Sequence, residues 1–158
     1  MSQMPALAST LPAAVLSGCA ALAYAVLAWV HPRISVPQSR GLLGMAWLLH
    51  LVVLLIGLFE QPARFGFAPA LSVTAWLVLT VYLVESRLYP QLRARWTLAV
   101  LGTVAVVLAW FFPGSPYPAL GSALMPLHWA LGIASYGLIA AAVVHAWLMQ
   151  RAEKAMRQ

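Results

Sequence analysis

Ala123-Leu-Met-Pro-Leu-His-Trp-Ala-Leu-Gly-Ile-Ala-Ser-Tyr-Gly-Leu-Ile-Ala-Ala-Ala-Val-Val-His-Ala-Trp-Leu-Met149 is the stretch whose reading decides the class of this chain. Its length and apolarity are those of a helix that crosses a bilayer, for which about 20 residues suffice. Two histidines interrupt it, His128 near one end and His145 near the other. An imidazole surrounded by lipid is costly unless it faces protein, water or a ligand. Gly132 and Ser135 fall on the same helical face as His128, at i+4 and i+7. Small residues there would let another helix, or a flat cofactor, come close to the backbone.

Four further apolar runs precede it, at about 8–30, 41–59, 69–84 and 96–112. The 158 residues are 63% hydrophobic and 8% charged, with a mean hydropathy of +0.88, too little charge to cover a water-soluble surface. The expected architecture is all-α, a polytopic membrane protein of five transmembrane helices in a single membrane domain spanning 1–158. Helix is the conformation that satisfies backbone groups within each segment in lipid, and the alternating polarity of barrel strands is not seen. Pro12 falls in the opening turn of the first run, where proline is tolerated. No basic residue precedes that run, so it reads as a retained helix and not as a cleaved signal peptide.

A net charge of +6 and a pI near 10.3 suggest nucleic acid, but the distribution excludes it. The basic residues stand in short clusters between apolar runs, the pattern that sets membrane orientation. Of the nine Lys and Arg, only Arg64 lies in the linkers on one side. Arg33 and Arg40, then Arg87, Arg93 and Arg95, then Arg151, Lys154 and Arg157 in the tail share the other side. The positive-inside rule therefore puts the N-terminus outside and the C-terminus in the cytoplasm. The tryptophans read as interfacial belts, Trp29, Trp47, Trp96 and Trp147 toward the inner ends and Trp76, Trp110 and Trp129 toward the outer ends, with no Trp–Trp cluster. Small residues form two stripes suited to close helix crossings, Ser17, Ala21, Ala25 and Ala28 in the first helix, and Ala130, Ala134, Gly137 and Ala141 in the last. The single Cys19 excludes an internal disulfide and reads as a small packed residue.

No carboxylate is expected within a span, which leaves imidazole as the candidate chemistry at membrane depth. His31, beside Pro32 and Arg33, reads as a solvated interfacial side chain, and His145 as one that snorkels or bonds a neighbouring carbonyl. His50 stands in the middle of its run and has no obvious route to water, so it is a candidate ligand or proton carrier. Could His50 and His128 grip one iron? At 1.5 Å per residue, His50 lies roughly 13 Å below the outer end of its helix and His128 roughly 7 Å below the end of its own. A gap of about 6 Å argues against that pairing unless the helices tilt strongly.

Met125-Pro-Leu-His-Trp129, with Gly132 and Ser135-Tyr136-Gly137 after it and His50 within the second helix, resembles the cytochrome c assembly protein family. The likeness is to its short, HemX-like branch of bacterial inner-membrane proteins. That resemblance implies haem handling or cytochrome c maturation at the inner membrane. It also implies haem as cofactor, maturation proteins as partners, His128 as an outer-side axial ligand and His50 as one within the membrane. Gly132, Ser135 and Tyr136 are implied as supporting residues. Members of that branch carry helices beyond the fifth, which makes this chain the counterpart of the N-terminal part of a longer protein, or a shortened relative. The tryptophan-rich segment of the larger members is absent. Two other readings fit the residues, a small-solute or proton-conducting protein with His50 as a relay, and a structural subunit without ligand whose histidines bond across helices.

Overall fold

Each apolar run becomes a helix, because within lipid the backbone groups of a segment can be satisfied only by that segment. The computed structural model describes residues 4–30, 33–59, 64–88, 95–116 and 125–157. The helices are α1 (Met4–Val30), α2 (Val36–Phe59), α3 (Phe67–Leu88), α4 (Arg95–Phe111) and α5 (Met125–Met156). Two-residue strands, β1 (Arg64–Phe65) and β2 (Ser115–Pro116), pair antiparallel and join the α2–α3 linker to the α4–α5 linker. Gly114 makes that approach with φ at +82°, a backbone conformation that L side chains rarely adopt.

Helix bounds depart from the apolar runs where capping outweighs hydropathy. α2 starts at Val36 because Ser35 and Gln38 form a capping box. The Ser35 backbone N–H and hydroxyl donate to the Gln38 amide oxygen, each at 3.0 Å. Pro37 is accommodated in that first turn, where its missing N–H is not needed. α3 continues to Leu88 and so carries Glu85 inside the helix, correcting the expectation that no carboxylate would lie within one. α1 begins at Met4, which places Pro12 inside the helix instead of in its opening turn, with no N–H to offer the Ala8 carbonyl.

Four of the helices are long and apolar enough to cross a membrane, over Pro12–Val30, Val36–Phe59, Phe67–Leu88 and Leu131–Arg151. α4 is apolar but shorter, 17 residues, or about 25 Å at 1.5 Å per residue. It nonetheless runs from the end of the bundle where Arg95 meets Ser39 on α2 to the end where β2 meets β1.

α1 packs on α2 and α4, α3 packs on α4 and α5, and α2 touches α3 and α4 more lightly. The core is built from Ala20, Tyr24 and Leu27 of α1, Leu43 and Ala46 of α2, Leu79 and Tyr82 of α3, and Ala99 and Val106 of α4. Its many alanines allow close backbone approach, the usual solution where lipid removes the hydrophobic drive between helices. The buried face of α1 follows Ser17, Ala20, Ala21, Tyr24 and Leu27, so only part of the expected stripe is buried. Cys19 is exposed on α1 and not packed.

Glycines mark the tightest crossings. A Cβ at Gly102 of α4 would meet the Tyr24 ring at 3.0 Å, and one at Gly137 of α5 would meet Leu77 Cδ1 at 3.1 Å. At Gly132, expected to provide the close approach beneath His128, a Cβ would meet nothing within 4 Å. Replacing Gly102 by Leu should therefore lower stability by about 1–3 kcal/mol or more through overpacking against a fully buried ring. Gly132→Leu should leave it nearly unchanged. Thermal unfolding of the detergent-solubilised variants checks the contrast, and equal Tm shifts would remove the special standing of Gly102.

Candidate functional site

The fold buries the His50 imidazole completely, with no exposed surface. α2 presents it between α1 and α3, where its two ring nitrogens find separate partners. Nε2 lies 2.8 Å from the Ser72 hydroxyl of α3, and Nδ1 lies 3.4 Å from the Tyr24 hydroxyl of α1. The Tyr24 and His50 rings meet edge-on, 5.8 Å between centroids at 84°. Two tautomers satisfy this arrangement. Either Nε2–H donates to Ser72 while Tyr24 donates to Nδ1, or Nδ1–H donates to Tyr24 while Ser72 donates to Nε2. In both, a neutral ring has its two nitrogens engaged. Tyr24 is itself held flat against Gly102, so α4 is tied to this imidazole through the Tyr24 ring.

Beyond Ser72 opens an apolar cavity of about 640 Å³, within the range of roughly 300–1,000 Å³ typical of small-molecule sites. α1 contributes Ser17 to its lining, α2 Leu54, α3 Ser72 and Trp76, α4 Trp110, and α5 Trp129. It lies toward the β1–β2 end of the bundle, where Arg64 is the single charged residue among the described ones that line it. Arg64 also donates to the Gly114 carbonyl at 3.4 Å. The Phe65 ring of β1 packs against Trp129, tilted by 36° with 5.1 Å between centroids, which brings the start of α5 to the cavity.

Below the cavity the α2–α3 interface continues as a polar ladder. Trp47 Nε1–H donates to the Thr80 hydroxyl at 2.8 Å, and Trp76 Nε1–H donates to the Trp47 carbonyl at 3.3 Å. The two indoles stack at 5.1 Å and 17°. This corrects the belt assignment for both residues and the expectation of no Trp–Trp pair. With α2 beginning at Val36, Trp47 sits near mid-helix, as Trp76 does in α3.

The expected site residues are not gathered together. His50 is buried behind Ser72, whereas His128 is exposed on α5, and neither imidazole lines the cavity itself. Gly132, Ser135 and Tyr136 are exposed as well, and the Ser135 hydroxyl donates to the Gly132 carbonyl at 2.7 Å. His145 pairs with the Glu85 carboxylate of α3 at 3.3 Å instead of snorkelling or meeting a carbonyl. His31 lies outside the described residues. Among the described residues no three His, Cys, Asp or Glu side chains come together as a metal site. Tyr24 and Ser72 escaped the sequence reading. Their signal was a phenol and a hydroxyl in mid-span, each of which needs a polar partner when buried.

Ser72→Ala should cost about 1–3 kcal/mol, because it leaves a buried imidazole nitrogen without a partner. Adding Ser72→Ala to His50→Leu should cost little further, since the Ser72 hydroxyl has already lost its partner there, while the Tyr24 hydroxyl is unpaired in both. A double-mutant cycle on thermal unfolding measures the coupling, and strict additivity would mean that the 2.8 Å contact carries no stability.

Comparison with protein-family models, with curated proteins and with solved structures finds no match for this chain, so the reading of its site rests on the residues and their geometry.

Proposed function

We propose that this chain is a membrane protein that binds haem in the cavity beside His50 and handles it for cytochrome c maturation. The observation that carries the reading is the apolar cavity of about 640 Å³ with a cation at one end and a histidine one hydroxyl behind its wall. The residues suit the group. Leu54, Trp76 and Trp110 offer an apolar bed for a macrocycle, and the Arg64 guanidinium is the partner a propionate takes in a charge-assisted hydrogen bond. Turning the Ser72 hydroxyl aside would free Nε2 as a ligand, with Tyr24 on Nδ1 to orient the ring. Haem held there would supply an iron that an imidazole nitrogen such as His50 Nε2 could bind. His128 stands one residue from Trp129, and its part as an outer-side ligand rests on the family resemblance alone, as do the supporting parts of Gly132, Ser135 and Tyr136.

A second reading draws on the engagement of both His50 nitrogens. In it the cavity holds an apolar lipid-like guest, and His50 only ties helices together. Loading the purified protein with haem separates the two. His50→Ala should lower haem retained per protein mass by on the order of tenfold or more, the loss expected with a direct ligand, and added imidazole should restore part of it. Ser72→Ala should retain haem. Equal retention in His50→Ala and the parent protein would favour the lipid-like guest. His128→Ala belongs in the same series, where unchanged retention would remove it as a ligand.

The proposed topology has α4 as a fifth crossing, the N-terminus outside and the C-terminus in the cytoplasm. Support comes from α4 running end to end between α1 and α3, and from the basic residues, all but Arg64 toward one side. Cysteines at Ser115 and Gln38, both exposed, test it in a Cys19→Ser background. An impermeant thiol reagent applied from outside should label the first and spare the second, and the reverse pattern would invert the orientation. Ser39, although in the same turn as Gln38, is buried and would be silent from either side.

A further inference from the structure

At the opposite end of the bundle from the cavity, two arginines are folded inward. Arg95, the first residue of α4, is 5% exposed, and its Nη1–H donates to the Ser39 hydroxyl of α2 at 2.9 Å. Arg40, next to Ser39, donates from Nη2 to the Ser86 carbonyl of α3 at 2.8 Å. Both charges bear on the Tyr82 phenol. Every protein partner in these contacts is neutral, and the Nε atoms of both guanidiniums are buried with no hydrogen-bond partner among the described residues. An unneutralised buried charge is expensive, and a second one beside it adds repulsion. Arg95 read as a linker residue in the sequence, because its neighbours Arg93 and Arg87 gave it the look of loop charge.

The chain has few anions with which to neutralise them. It contains three carboxylates, Glu60, Glu85 and Glu153. Glu85 is one residue from Ser86, yet it turns to His145 on α5. Glu153 pairs with Arg157 one turn further along the same helix. Glu60 follows Phe59, at the far end of α2. The first turns of α2 and α4 meet here too, and helix N-termini add positive potential.

We propose that Arg40 and Arg95, with Ser39 and Tyr82, form a binding site for a phosphate group at this end of the bundle. The counter-charge missing from the protein is supplied by an anion that offers several acceptor oxygens to two guanidiniums. Basic pockets between membrane helices take lipid headgroups in this way, and free phosphate presents the same chemistry. The site is independent of the haem reading, since it shares no residue with the cavity.

The full chain in nanodiscs tests the site. Nanodiscs of a neutral galactolipid, which carries no phosphate, are compared with the same lipid plus phosphatidylglycerol, and inorganic phosphate is added to the first in a third arm. Thermal stability and lipid retention by native mass spectrometry are the readouts. Phosphatidylglycerol should raise the Tm of the parent protein. Arg40→Gln, at the less buried arginine, should abolish the rise and weaken headgroup retention about tenfold, the loss expected with one charge-assisted hydrogen bond. Arg33→Gln removes an exposed charge at the same end and should keep the full rise. A rise with the lipid alone assigns the site to a headgroup, and a rise with inorganic phosphate as well assigns it to phosphate in general. No rise in either arm, or equal losses in Arg40→Gln and Arg33→Gln, would overturn the proposal. Arg95→Gln adds a second probe, with loss of the phosphate response expected wherever it folds.

Discussion

A single imidazole in an apolar bundle imposes the constraint on which this structure turns. His50 is excluded from solvent, so each ring nitrogen must find a partner within the protein or be left unsatisfied at a cost of about 1–3 kcal/mol. Ser72 and Tyr24 are those partners, and each arrives from a different helix. Meeting both demands at once sets how α1, α2 and α3 lie against one another in depth. Gly102 extends the constraint to α4, since only a residue without a side chain lets that helix lie against the Tyr24 ring. In a membrane this matters more than in water, because apolar surface gains little by leaving lipid for protein. Polar contacts and close small-residue crossings must then specify the packing.

The same logic runs along the α2–α3 interface. From one end to the other, Arg40 bonds Ser86, Trp47 bonds Thr80, Trp76 bonds the Trp47 carbonyl, and His50 bonds Ser72. Two antiparallel helices with partners at this spacing cannot slide past one another without breaking several contacts together. α5 is attached differently. Gly137 seats it on Leu77 of α3, His145 meets Glu85, and Trp129 meets Phe65. Leu131, Tyr136, Leu138, Ile139 and Val143 face outward. Exposed apolar side chains on a span are the normal condition of a helix that borders lipid, and this one does so over most of its length.

Polarity is distributed to the two ends in opposite ways. Toward the β1–β2 end the helices part around an apolar cavity that Arg64 lines as its single charged residue among the described ones. Toward the other end they close over two guanidiniums without a carboxylate. Between α3 and α5, Glu85 and His145 bring a carboxylate and an imidazole together across helices.

Read as a string, the chain determined its class and its helix order. Long apolar runs leave helix as the only way to satisfy backbone groups in lipid, and four of those runs are long enough to span. It also singled out His50, because an imidazole in mid-run is anomalous wherever it points. Helix ends were legible only in part. Hydropathy marks the lipid boundary, whereas Ser35 and Gln38 begin α2 in a polar turn that a hydropathy reading takes for linker. What lay beyond reach was which side chains meet. Tyr24, Ser72 and Gly102 are unremarkable residues of three separate helices, and their joint role exists only after those helices are packed. Gly132 and Gly137 are alike in one dimension, yet one faces open space and the other a Leu77 methyl, since rotation of α5 about its axis is decided by α3. Arg95 likewise looked like one more charge in a basic linker. Tertiary structure alone made it the buried first residue of a helix, because α4 starts where α2 offers it the Ser39 hydroxyl.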